Sequence, residues 1–155
     1  MKATLCNSIL FLFLLPISLF AGGETGKFEK EKKINKSFTV SAHAITDIDN
    51  KYGDIDIRTW NEDRVAIDVV IRVSGNNESD VVKRLNTINV EFNAAQSKVS
   101  AKTVFGRFSG KTSKMQVNYV VYIPQMGGLN IDNQYGNITM GKINGPAEID
   151  LDYGN

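Results

Sequence analysis

Ile48-Asp49-Asn50-Lys51-Tyr52-Gly53-Asp54-Ile55 returns as Ile131-Asp132-Asn133-Gln134-Tyr135-Gly136-Asn137-Ile138, and again as Ile149-Asp150-Leu151-Asp152-Tyr153-Gly154-Asn155. The shared phrase is I-D-x-x-Y-G-[DN]-I, and the sequence stops inside the third copy. Period-two alternation puts Ile48, Asn50 and Tyr52 on one strand face, with the matching residues of the other copies. The glycine then allows a corner closed to other residues, and the following Asp or Asn can bond local backbone. Such a unit cannot bury its apolar face alone, so the phrase predicts stacking. The second and third copies start 18 residues apart, one turn of a β-solenoid, whereas the first and second are 83 apart. The stretch between them reads as an insertion or an N-terminal cap.

The rest of the chain is rich in strand signals. Val65, Ile67, Val69, Ile71 and Val73 alternate with polar residues such as Asp68 and Arg72, the pattern of a half-buried strand. After the turn Ser74-Gly75-Asn76-Asn77, the apolar residues Val81, Val82, Leu85 and Ile88 fall at helical spacing. Glu78 and Asp80 lie near the start of that run, where the helix dipole favours acids, so a helix is expected over 78–88. Val90–Phe92, Lys98–Phe105 and Met115–Ile123 read as strands, the last ended by Pro124, which has no ladder donor.

The N-terminus has the layout of a secretory signal over residues 1–21: Lys2, an apolar run from Ile9 to Phe20 too short to span a membrane, then Ala21-Gly22-Gly23. Cys6, the sole cysteine, lies within it, so the mature chain would have neither disulfide nor thiol chemistry. Residues 22–37, with Glu24, Lys27, Glu29, Lys30, Glu31, Lys32, Lys33 and Lys36, read as a flexible lead-in, with a first strand over Ile34–Val40. A helix there would have only Phe28 and Ile34 to anchor it. The remaining 38–155 form one β domain, strands and a helix over 38–124 and the start of solenoid rungs over 125–155. Without Lys2 the basic and acidic residues balance at 17 each, which argues against nucleic-acid binding.

Motifs for chemistry are sparse, and no cofactor or metal site is expected. Gly106-Arg107-Phe108-Ser109-Gly110-Lys111-Thr112 has one residue too few for a phosphate loop and precedes a strand instead of a helix. His43 is the only histidine and has neither a nucleophile motif nor a second nitrogen ligand around it. Asp47 with Asp49, Asp54 with Asp56, and Asp150 with Asp152 are spaced to share a strand face. Such pairs suit calcium or glycan acid–base chemistry, or simply a solvated face that discourages edge pairing. Tyr52, Tyr135 and Tyr153 can form an aromatic ladder, with Gly53, Gly136 and Gly154 as corners. From Gln96 to Asn130 there are five bases and no acid: Lys98, Lys102, Arg107, Lys111 and Lys114, with Phe105 and Phe108 among them, a candidate contact for anionic surfaces. Trp60 is expected to pack at a rung edge.

The K-Y-G-D-I-D-I-R-T-W run at 51–60, the I-P-x-x-G-G-L-x-I-x-N-x-Y-G-N-I run at 123–138 and Gly145-Pro146 resemble the adhesin-like domains of unknown function in exported bacterial proteins. The resemblance covers 38–155. It implies a solenoid-like β fold and a cell-envelope or surface setting, and carries over no catalytic residue. The chain departs from that pattern by stopping early in the repeats, so it is expected to be a fragment; the alternative is a partner covering its last rung. The function expected is a non-enzymatic adhesin-like or scaffold module contacting an envelope protein or a surface glycan, exported to periplasm, outer-membrane surface or medium, with no membrane span in the mature chain. The alternatives are a polysaccharide-acting enzyme built on the Asp pairs and a periplasmic sensor or regulatory partner.

Overall fold

The computed structural model describes residues 26–112 and 114–155. The expected signal over residues 1–21 and Cys6 lie outside the described residues. Ten strands and one helix follow in the order β1 (Phe28–Thr39), β2 (Ile45–Tyr52), β3 (Ile55–Trp60), β4 (Arg64–Gly75), α1 (Glu78–Asn86), β5 (Ile88–Ala95), β6 (Lys98–Phe105), β7 (Lys114–Pro124), β8 (Gly128–Tyr135), β9 (Ile138–Met140) and β10 (Ala147–Tyr153). They form two five-stranded sheets, β1-β4-β7-β3-β9 and β10-β8-β2-β6-β5. The expected mainly β class with one helix is what the chain adopts. The architecture differs from a closed solenoid: both sheets are mixed, antiparallel at the β1 and β5 side and parallel toward β9 and β10.

The two sheets share one core. Val65, Ile67, Val69, Ile71 and Val73 of β4 and Val117, Tyr119, Val121 and Ile123 of β7 belong to the same buried cluster as Ile48, Val99, Leu129 and Ile131 of the second sheet. The β4 and β7 residues, with Ile48 and Ile131, are the period-two positions read from the sequence, because one face of each sheet is removed from water. Asn77 caps α1, its side chain accepting from Asp80 N. The helix stops at Asn86, two residues short of the expected end, because Ile88 leaves the helical face to begin β5.

One further expectation is corrected. Residues 28–36, read as part of a flexible lead-in, are paired with β4 from Phe28↔Gly75 to Thr39↔Arg64. Mixed charge concealed the strand because β1 is an edge strand. Phe28, Lys30, Lys32, Ile34 and Phe38 are its half-buried positions, and Glu29, Glu31, Lys33 and Asn35 are exposed. Charge placed on the inward face is a device that blunts sheet edges. The first two repeat copies, 83 residues apart in the sequence, are neighbours in the sheet: β2 lies in register beside β8, Ile48↔Ile131, Asn50↔Asn133 and Tyr52↔Tyr135. β8 in turn lies beside β10, Ile149↔Ile131 and Tyr153↔Tyr135. After each corner the chain crosses to the other sheet, where β3 and β9 pair with Ile55↔Ile138.

The edges of the sandwich are unlike. At one, α1 packs on β1, β4 and β5, burying Val81 and Leu85. Lys32 Nζ reaches across to Ile88 O at 2.5 Å and Asn89 Oδ1 at 3.0 Å, and Phe38 meets Phe92 at 6.1 Å. At the other edge, formed by β9 and β10, nothing among the described residues covers the strands.

The corner glycines explain the repeat. Gly53 and Gly136 have φ of 146° and 140°, a region L side chains rarely adopt. A Cβ on Gly53 would collide with the Val117 carbonyl, one on Gly136 with the Gly53 carbonyl, and one on Gly154 with the Gly136 carbonyl. Gly136→Ala should therefore destabilise by roughly 3 kcal/mol, combining backbone strain with overpacking. Urea titration checks this, and a loss under 1 kcal/mol would contradict the stacked corner.

Buried asparagines give a second expectation. Asn50 Nδ2 donates to Val117 O at 3.0 Å, and its Oδ1 accepts from Thr103 Oγ1 at 3.0 Å. Asn133 Nδ2 donates to Gly53 O at 3.1 Å, but its Oδ1 has no partner. Leu151 already occupies the equivalent site in the third copy. Asn50→Leu should cost about 2–3 kcal/mol and Asn133→Leu about 1 or less, since only the first breaks two buried bonds. Equal costs in thermal melts would refute this account.

Candidate functional site: the tyrosine–glycine corner

Parallel strands in register bring identical residues together at the strand spacing, just under 5 Å. Tyr52 and Tyr135 stack with centroids 5.5 Å apart and planes 8° off parallel; Tyr135 and Tyr153 stack at 5.0 Å and 6°. Phe105 closes the column edge-on at 5.6 Å from Tyr52. Exposure rises along it, from half-buried Tyr52 to 42% for Tyr135 and 64% for Tyr153. The rings cover one another, so a planar ligand finds a free ring face only on Tyr153. Beside the column runs a shallow groove of about 200 Å³, lined by Tyr52, Asp54, Tyr135, Lys114 and Gln116 among others.

Behind the rings lies a chain of caps. Asn118 Oδ1 accepts from Asp54 N at 3.0 Å, Asp54 Oδ1 accepts from Asn137 N at 2.8 Å, and Asn137 Oδ1 accepts from Asn155 N at 3.1 Å. Backbone bonds run alongside, Gly53 N donating to Tyr135 O and Gly136 N to Tyr153 O. Each corner thus presents an acceptor that satisfies the next corner's N–H. Asp54 is a cap in this chain. Asp56, its sequence partner, points elsewhere and binds Arg58 at 2.7 Å. The pair does not converge on a common point.

The outer face of the second sheet carries the acids. Lys102, Asp49, Asp132 and Asp150 form one cross-strand row, with Asp152 two residues beyond Asp150. Lys102 neutralises Asp49 at 2.5 Å and Lys98 neutralises Asp47 at 2.6 Å. The hydrogen bond to Asp49 raises the Lys102 pKa. Desolvation, then the neighbouring carboxylates of Asp49, Asp150 and Asp152, raise that of Asp132 above its ordinary 3.8. Asp152 is held only by a long contact from Gln134 Nε2 at 3.4 Å. The face is open, and among the described residues no group of three or more His, Cys, Asp or Glu can hold a metal ion.

The basic stretch separates into two. Lys98 and Lys102 are spent on the aspartates, while Arg107 and Lys111 are exposed on the loop beside α1. That loop leads into β7, not a helix, and Lys111 N donates to Asp80 Oδ2 at 3.2 Å. Phe105 and Phe108 lie under the Arg84 guanidinium, 5.7 and 5.3 Å from it. Trp60 borders a cleft of about 180 Å³ with Pro124 and Met126. One of its faces meets Tyr122 at 5.1 Å and the Arg64 guanidinium lies 4.6 Å from its centroid, so the indole offers no open platform for a sugar. His43 is exposed.

Three participants escaped the sequence reading, and a fourth, Phe105, was read only as part of the basic stretch. Asn118 begins the cap chain, Asp132 centres the acid row, and Thr103 and Phe105 stand beside Asn50 and Tyr52. Ala101-Lys102-Thr103-Val104-Phe105-Gly106 is in effect a degenerate copy of the repeat, aligned through Ile48↔Ala101 and Asp49↔Lys102. Its F-G in place of Y-G was the available signal.

Like charges opposite one another in a ladder destabilise it by a few tenths of a kcal/mol. Because folding raises the Asp132 pKa, the folded chain binds more protons than the unfolded one above pH 3.8, and stability falls as pH rises through that window. Asp132→Asn should therefore stabilise by about 0.5 kcal/mol at pH 7 and by nothing at pH 3. Paired denaturant curves at the two pH values check the sign; a gain at both would place its origin outside the acid row.

No family model and no curated protein matches the chain. Among solved structures, a "putative cell adhesion protein" from Clostridium sporogenes aligns with a TM-score of 0.53 and 13% identity, over 81% of this chain and 59% of that one. A "putative adhesin" from Parabacteroides distasonis aligns at 0.36 and 9% identity, over 70% and 40%, and a "Putative lipid binding protein" from the same organism at 0.41 and 9%, over 77% and 46%. This chain therefore spans about three fifths of the length of the first. Among the described residues no helix is long and apolar enough to cross a membrane. At such identities the likeness is one of fold: the chain shares a β architecture with the Clostridium sporogenes protein.

Proposed function

We propose that this chain is a non-enzymatic, exported adhesin-like or scaffold module of the cell envelope or surface. In this reading its Y-G corners are the first rungs of a solenoid-like stack. The observation that carries it is the repeated presentation of identical side chains at strand spacing: tyrosine rings on the corner, aspartates on the outer sheet face. Each contact is weak alone, and a rigid row of them gains by avidity. The partner is an envelope protein or a surface glycan. The fold shared with the "putative cell adhesion protein" supports this reading, and Asp54 and Asp56 are turned to different partners, Asn137 N and Arg58.

The test is a glycan array and an envelope-protein pull-down with the full chain, as monomer and as a tetravalent display, beside a turnover screen on polysaccharides. Display should raise apparent affinity by about a hundredfold, and Tyr153→Ala should weaken it several-fold. Polysaccharide cleavage abolished by Asp54→Asn or Asp152→Asn would replace the adhesin reading with an enzymatic one.

A further inference from the structure

We infer that the outer side of α1 and the adjoining loop 106–112 dock on an anionic phospholipid surface. This goes beyond the contact proposed for the corner column and stands without it.

The first observation is where positive charge collects. No acid lies between Gln96 and Asn130. Of the bases there, Lys98 and Lys102 are neutralised by Asp47 and Asp49, and Lys114 lines the corner groove. Arg107 and Lys111 remain, both exposed. Their loop runs back along α1: Gly106 N donates to Thr87 O at 2.7 Å, at the helix end, and Lys111 N to Asp80 Oδ2 at 3.2 Å, in the first turn. The helix adds Lys83 and Arg84 from its last turn. Two segments distant in sequence thereby set four cations on one side of the molecule. The acids of α1 are already engaged, Glu78 by Lys30 at 2.7 Å and Asp80 by the Lys111 N–H.

The second is apolar surface among these charges. Val82, next to Lys83 on the helix, is 39% exposed. Phe108, in the middle of the loop, is half-buried. The Arg84 guanidinium lies 5.7 Å from the Phe105 centroid and 5.3 Å from that of Phe108. Held over two rings, it has little freedom left to lose when it meets a phosphate.

The third selects the occupant. A bilayer offers phosphates at its surface and hydrocarbon just beneath, and basic faces with interspersed apolar side chains bind it through both. A free anion or a glycan chain asks instead for a recess with its own polar contacts. The cleft on this side, lined by Asn76, Asn77, Asp80, Lys111 and Thr112, carries the Asp80 carboxylate in its wall, which repels an anion. The ring faces turned to Arg84 are not free to stack on sugars. Helix and loop suit an interface and not an enclosed ligand.

The probe is vesicles of phosphatidylcholine alone, or of equal parts phosphatidylcholine and phosphatidylglycerol, sedimented with the full chain across a salt series. The apolar run over residues 9–20 is common to every sample, so the reading is the difference between vesicles and between variants. The chain should bind the anionic vesicles about tenfold more tightly than the neutral ones, and the margin should shrink as salt rises. Arg107→Ala with Lys111→Ala should weaken anionic binding about twenty-fivefold, roughly fivefold per charge. Lys51→Ala with Lys142→Ala, equal in charge but placed at the corner and between β9 and β10, should leave it unchanged. Val82→Ser should weaken it several-fold at every salt concentration. All five positions are exposed, so melting temperatures should match that of the parent chain. Equal affinity for the two vesicles, or equal losses from the two double variants, overturns the inference. So does tighter binding of soluble polygalacturonate than of the anionic vesicles, lost in the Arg107→Ala, Lys111→Ala variant, which would reassign the face to an acidic glycan. Vesicle binding beside blank glycan arrays and pull-downs would keep this inference and remove the corner's proposed role.

Discussion

The structure depends on contact between one corner's carbonyl and the next corner's glycine. With φ near +140°, Gly53 and Gly136 turn the chain from one sheet to the other in a single residue. Their bare Cα lets the following corner approach closely enough for backbone bonding at Gly53 N–Tyr135 O and Gly136 N–Tyr153 O. Because the corners sit in register, so do the strands entering and leaving them. Stacked tyrosines, aligned isoleucines and the Asn and Asp caps are consequences of that register. Tyr119, buried on β7 with its hydroxyl 2.7 Å from Thr103 Oγ1, ties the first corner to the core; burial pushes its pKa well above the usual phenol range.

Among the described residues the two sides of the sandwich present different chemistry. At β1 and β5 the gap between sheets is filled by α1, by the ring pair Phe38 and Phe92 and by the Lys32 ammonium. Burial lowers the Lys32 pKa, the mark of a lysine turned inward. Lys30 pairs with Glu78 at 2.7 Å on the same side. Further pairing there is opposed by charge. At β9 and β10 the sheets offer isoleucine, methionine and tyrosine instead.

Much of this was legible in the sequence, for a physical reason. The repeat is written in residues whose backbone and packing demands are narrow, so Y-G named the corner and alternation named the faces of β4 and β7. The first half of β1 was missed because an edge strand can be charged on both faces and still pair. Repetition pointed to stacking of the copies, but not to the strand order, because sequence distance says nothing of order within a sheet; the chain returns through β4, α1 and β5 to β7 before β8 pairs with β2. Asn118 and Thr103 were invisible since each acts through a single side-chain oxygen outside the phrase. The site was less legible than the fold: Asp pairs two residues apart were easy to list, yet the row that matters electrostatically, Asp49, Asp132 and Asp150, runs across strands.

The position of β2 and β3 has a bearing on how the chain acquires its shape. They precede β6, β7, β8 and β9 in the chain but lie between them, β2 between β6 and β8 and β3 between β7 and β9. The earliest rung therefore cannot gain either parallel neighbour until segments about 50 and 80 residues downstream have arrived. Pairing over such separations must overcome loop-closure entropy before any contact compensates, which slows folding. A nascent chain that has only reached α1 holds two antiparallel strands and a corner with nothing to lean on. Cooperative collapse is postponed until the later rungs close around it from both sides.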